Sequence, residues 1–73
     1  VEDDADVRPV LQESLASAGW EVTAVADGQA ALEELRRGGA LDMLVTDVVM
    51  PGDVSGVELA RRATAMRPGL PVL

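Results

Sequence analysis

Short β-type runs alternate with three stretches of helical period along these 73 residues, and that alternation constrains the fold more than any other feature. The chain opens on Val1 and meets three acids at once, Glu2, Asp3 and Asp4. Val7, Val10, Leu11, Leu15 and Ala18 then recur at the three- and four-residue intervals of one helix face. Asp6 as N-cap, Pro9 in the first turn, where its missing N–H costs nothing, and Gly19 as a left-handed C′ residue predict a helix over residues 6–18. Residues 20–25 (WEVTAV) alternate and are β-branched, as strands are. Asp27-Gly28 turn the chain into a second helix carrying Ala30, Ala31, Leu32 and Leu35. Its basic end, Arg36-Arg37, suits the negative pole of the helix, and Gly38-Gly39 stop it. A third strand is expected over about residues 42–47, followed by a loop through Gly56. The third helix should turn Val57, Leu59, Ala60, Ala63 and Met66 inward and leave Arg61 and Arg62 in solvent. Pro68-Gly69 end it, and residues 70–73 (LPVL) begin a fourth strand.

This alternation is that of an α/β unit with a parallel sheet. Right-handed crossovers place the C-terminal ends of its strands along one sheet edge. Two acidic features fall at such ends: Glu2-Asp3-Asp4 after the first strand and Asp47 after the third. In a flavodoxin-like sheet of order 2-1-3-4-5, strands one and three are neighbours, and ligands bind in the crevice between them. Unshielded like charges about 4 Å apart repel by on the order of 4 kcal/mol at an effective dielectric near 20. Such a cluster raises its own pKa values or recruits a hard divalent cation. Mg²⁺ suits it, because that ion takes a few carboxylate oxygens, keeps several waters and leaves room for a phosphate.

Composition removes the competing chemistries. The chain has no Cys and no His, and all six basic residues are Arg. Thiolate or imidazole metal sites, Schiff bases and lysine-assisted phosphate binding are therefore outside the reach of these residues. The net charge of −7 opposes contact with nucleic acid or an anionic membrane surface. No run approaches the ~18 apolar residues of a membrane span, and the lack of Cys fits a reducing, cytoplasmic setting. Trp20, the single aromatic, reads as core or strand-edge packing, and Thr46, Asp42 and Asp53 read as structural.

The stretches VEDD, ADGQAALEEL, LDMLVTDVVMPG and SGVELARRATAMRPGLPVL together resemble the receiver domain of two-component response regulators, over the whole chain. The resemblance implies that Asp47 is the phosphoacceptor, taking a phosphoryl group from the phosphohistidine of a histidine kinase or histidine phosphotransfer protein. It implies that Mg²⁺ is held by Asp3 directly, by Glu2 mainly through water, by Asp47 and by the backbone carbonyl of Val49. It also implies a switch rather than an enzyme, one that catalyses its own phosphorylation and dephosphorylation when intact, with a possible output domain elsewhere in a longer chain. Residues 1–73 would be a partial receiver domain, about its first three-fifths, truncated after the fourth strand. The loop PGDVSG is most similar to those of receivers attached to hybrid sensor kinases. The family's hydroxyl residue past the fourth strand and its lysine after the fifth have no counterpart among these residues, so phosphorylation by this segment alone is not expected.

Two other classes remain open at this level. One is a phosphorylation-independent interaction module on the same fold, disfavoured by the presence of all three carboxylates. The other is a Mg²⁺-dependent phosphohydrolase with an aspartyl nucleophile, which resembles D-x-D-x-[TV], whereas the position two past Asp47 is Val49.

Overall fold

The computed structural model describes residues 1–48, 50, 52 and 54–73. Three helices form among them: α1 (Val7–Ser17), α2 (Gly28–Arg36) and α3 (Gly56–Met66).

The start of α1 differs from expectation in its cap. Asp4, not Asp6, closes the helix: its Oδ1 accepts from the N–H of Asp6 (2.8 Å) and of Val7 (3.1 Å). Asp6 makes no capping bond, because its backbone (φ −90°, ψ −34°) is already helical and a capping side chain must come from an extended residue. At the other end, Gly19 takes φ 101° and donates to the Ala16 carbonyl (3.0 Å), while the Trp20 N–H reaches the Leu15 carbonyl (3.1 Å). This pair of bonds is a Schellman stop, which satisfies two otherwise orphaned carbonyls. The later helices are capped by Asp27, which accepts from the Ala30 N–H (2.8 Å), and Ser55, which accepts from the Glu58 N–H (3.2 Å).

Only α2 and α3 pack on one another among the described helices. Gly28, Ala31, Leu32 and Leu35 on α2 and Gly56, Leu59 and Ala63 on α3 each form one stripe at helical spacing, and all are buried. With Val54 they make the core, against which Val1, Val25, Leu44 and Leu70 are partly buried. Leu32 and Leu59 have no exposed surface, and each such side chain stabilises the fold by about 1.5–3 kcal/mol. Two expected core positions of α3 lie outside it: Val57 is 67% and Met66 40% exposed. At 100° per residue the inward stripe is set by Gly56, Leu59 and Ala63, and Val57 is one full step off it.

Among the described residues the expected strands form no ladder; the bridge described is parallel, between Leu44 and Val72. Single backbone bonds nevertheless hold the extended segments side by side. The Glu2 N–H donates to the Val25 carbonyl (3.1 Å), and the Asp47 N–H donates to the Val1 carbonyl (3.1 Å). The N–H groups of Leu44 and Thr46 donate to the carbonyls of Pro71 and Leu73 (both 2.9 Å). Of the run 20–25, Val25 is the residue bonded to the first segment among the described backbone bonds.

α1 buries none of its residues, and Val10 is 61% exposed. Its apolar face borders an open groove of about 960 Å³, shared with Trp20, Val22 and Val45. Trp20, expected to pack, is 46% exposed.

A single cation ties α3 back to α2. Arg67 donates from Nη1 to the Gly39 carbonyl (2.6 Å) and from Nη2 to the Leu35 carbonyl (2.9 Å), so it caps the C-terminal end of α2 from the end of α3. The Leu35 carbonyl also accepts the Gly38 N–H (3.3 Å), so the guanidinium adds a second donor at the helix end and a first one at the Gly39 carbonyl just past it. Replacing Arg67 with Ala should lower stability by about 2 kcal/mol, read as a drop in the urea midpoint, with Arg67→Lys recovering part of it.

Candidate functional site

Asp47 ends the third extended segment and is held from three directions. Its N–H donates to the Val1 carbonyl (3.1 Å), and its own carbonyl accepts from Thr46 Oγ1 (3.0 Å). On the third side sits the first residue of α3. A Cβ added to Gly56 would fall 1.8 Å from the Asp47 carbonyl oxygen and 2.8 Å from the Val48 Cα, and the Gly56 N–H donates to the Val48 carbonyl (3.0 Å). Only a residue without a Cβ lets the helix start this close to the strand end. The Asp47 side chain is exposed, and its Oδ1 accepts from the Val48 N–H (2.8 Å). Oδ2 has no protein donor among the described residues.

The bond between Asp47 and Val1 brings the two acidic features together. Carboxylate oxygens of Glu2, Asp3 and Asp47, the residues singled out in sequence, lie within 4.8 Å of one another. Asp4 is spent on the α1 cap. Val49, whose carbonyl was expected as a further ligand, lies outside the described residues, as does Asp53.

Glu2 carries the electrostatic strain of the group. Its carboxyl is held above the usual glutamate value, first by desolvation, then by the Asp47 charge and by Asp3, whose carboxylate can accept the Glu2 proton. The Asp3 N–H pulls in the opposite direction. Oε2 of Glu2 is shut off from solvent with no hydrogen-bond partner. A closed-off carboxylate oxygen facing two further carboxylates is a donor set that fits a hard divalent cation, because such a cation removes the repulsion and supplies the missing partner. No cationic side chain does so: the ion pairs among the described residues join Arg37 to Glu34 and both Arg61 and Arg62 to Glu58.

Sequence reasoning found all three carboxylates and missed the contact of Gly56 with Asp47. A Ser-Gly pair before a helical period signals a helix start, but not what that start touches.

The sequence matches the family described as the response regulator receiver domain over residues 1–73. The chain belongs to that family. Members are signalling switches rather than classical enzymes. This receiver is 43% identical over 72 residues to the response regulator receiver protein CpdR of Brucella abortus, covering 99% of its own length and 58% of that protein. It is 41% identical over 73 residues to the transcriptional regulatory protein FixJ of Bradyrhizobium diazoefficiens, covering all of itself and 35% of FixJ. A crystal structure of a response regulator receiver protein from Sinorhizobium medicae superimposes with a TM-score of 0.91 at 35% identity, covering 97% of this chain and 57% of that one. The fold is therefore the receiver fold, and the chain spans less than three-fifths of these relatives.

Two outcomes test the site. In the receiver, Gly56→Ala should cost about 3 kcal/mol, since the neighbour that must yield is backbone rather than a flexible side chain. A urea midpoint equal to wild type would contradict the close approach. The second concerns protons. Because the folded Glu2 holds its proton more tightly than an unfolded chain does, its contribution to stability is present below the ordinary glutamate pKa and is lost as pH rises through the raised value. Asp47→Asn removes one cause and should move the Glu2 midpoint, followed by carboxyl ¹³C NMR, downward but not fully to the ordinary value, since desolvation remains.

Proposed function

We propose that this receiver accepts a phosphoryl group on Asp47 from the phosphohistidine of a histidine kinase or histidine phosphotransfer protein, and changes conformation in response. The observation that carries this reading is the convergence of Glu2, Asp3 and Asp47 carboxylate oxygens within 4.8 Å. Glu2, Asp3, Asp47 and the Val49 carbonyl would hold Mg²⁺, with residues 1–73 forming part of the receiver domain. When bound, Mg²⁺ neutralises negative charge on the transferring phosphoryl oxygens.

The protein's own groups set the rest. Val48 N–H holds Asp47 Oδ1, which leaves Oδ2 as the oxygen to attack phosphorus in line. The bond from phosphorus to the donor imidazole nitrogen breaks, its electron pair stays on the ring, and an acyl phosphate forms on Asp47. Exposure of Asp47 allows a donor ring to approach from solvent.

The backbone bonds 25 to 2, 1 to 47, and 44 and 46 to 71 and 73 support the strand order 2-1-3-4 at the start of a 2-1-3-4-5 sheet. An output domain in a longer chain and a cytoplasmic setting follow from the same reading. The PGDVSG loop favours attachment to a hybrid sensor kinase, whereas the relatives above are named as receiver and transcriptional regulatory proteins. No helix among the described residues is long and apolar enough to cross a membrane.

The test is a chimera in which residues 1–73 continue into the C-terminal part of the Brucella relative, exposed to acetyl phosphate with Mg²⁺. One phosphoryl group per chain is expected by intact mass, lost in Asp47→Asn and lost on chelation. Undiminished labelling of Asp47→Asn would remove the assignment.

A further inference from the structure

Arg8 lies on the first turn of α1, where its guanidinium holds the residue before Asp3 and its main chain makes the ordinary helical bond to the residue after it. Its Nη1 donates to the Glu2 carbonyl (3.1 Å), and its backbone N–H donates to the Asp4 carbonyl (2.9 Å). The bond to Glu2 is partly buried, while Asp3 itself is exposed. Among the described residues no N–H group donates to the Asp3 carboxylate. The direction of that carboxylate therefore depends on the backbone on either side of it: the helix's own main-chain bond fixes the Asp4 side, and the Arg8 guanidinium fixes the Glu2 side.

We propose that Arg8 is a positioning residue for the cation site. By clamping the Glu2 carbonyl through its guanidinium, it aims the Asp3 carboxylate at the oxygens of Glu2 and Asp47. This rests on the reading of the three carboxylates as a Mg²⁺ site. Neither bond of Arg8 goes to a carboxylate, so the clamp orders the acids without neutralising them. A guanidinium bonded to a carboxylate would compete with the cation, whereas one bonded to a carbonyl does not.

Two physical effects of removing Arg8 have opposite signs, which makes the inference testable. Loss of a positive charge near three carboxylates, acting through space alone, would tighten Mg²⁺ binding. Loss of orientation would weaken it, by about tenfold for a residue that orients a ligand. Arg8→Met keeps most of the aliphatic stem and the helix propensity but removes the donor. Arg8→Lys keeps a charge and one donor able to reach the Glu2 carbonyl.

The experiment is isothermal titration of the 73-residue chain with MgCl₂, for wild type, Arg8→Met, Arg8→Lys and Asp47→Asn, with helix content followed by far-UV circular dichroism. The expected result is Mg²⁺ binding by wild type that Asp47→Asn abolishes, about tenfold weaker binding by Arg8→Met, and near-wild-type affinity for Arg8→Lys. Equal or tighter binding by a folded Arg8→Met overturns the clamp and leaves the cation site standing. Absence of Mg²⁺ binding by wild type overturns the cation reading and the clamp with it. Should Arg8→Met lose its helix content, ¹⁵N NMR of the wild-type guanidinium decides. Slow exchange of the Arg8 Nη hydrogens before and after Mg²⁺ addition is expected, and free exchange in both states overturns the proposal.

Discussion

One backbone bond organises the molecule: the Asp47 N–H on the Val1 carbonyl. It sets the end of the third extended segment beside the start of the first, and so forces three carboxylates into a common space. Nothing among the described side chains cancels their charge. The fold tolerates the repulsion because Asp3 and Asp47 remain exposed to water, while Glu2, half-buried, bears the penalty as a raised pKa. Repulsion of this kind is what a hard divalent cation bound by these oxygens would relieve.

The remainder of the structure serves to hold that bond in place. α2 and α3 share the core of Leu32, Leu35, Leu59 and Ala63, and Arg67 ties the end of one to the end of the other. Their packing positions Gly56, and Gly56 in turn meets the Asp47 carbonyl with no room for a Cβ. The route from core to site is therefore short: buried helix stripe, helix start, strand end. α1 contributes differently. Its apolar face is exposed, and its link to the site runs through Asp4 and Arg8 at its first turn.

Much of this was legible in the sequence for local reasons. Helix periods, the Asp27-Gly28 turn and the Gly19 stop depend on neighbours within about four residues, so their signals lie side by side in the chain, whereas Ser55, the cap of α3, stands in a stretch that reads as loop. The three carboxylates were legible because alternation of elements assigns acids to strand ends, and topology assigns those ends to one edge. Asp6 misled because two acids stood two positions apart, and the choice between them is made by backbone dihedrals. Val57 and Met66 misled because apolar character does not say which of two adjacent arcs of a helix faces the core. The expected strands stayed short of ladders because a strand is a property of pairs.

The sequence by itself determined the order of elements, the chemistry open to the chain and the family, because these follow from residue types and short spacings. The distances did not: the approach of Gly56 to Asp47, the meeting of Asp47 with Glu2 and Asp3 and the closure of α2 by Arg67 join residues through space. Those contacts join segments far apart in the chain and exist only once packing has fixed where each backbone runs, and so the tertiary structure alone decided them.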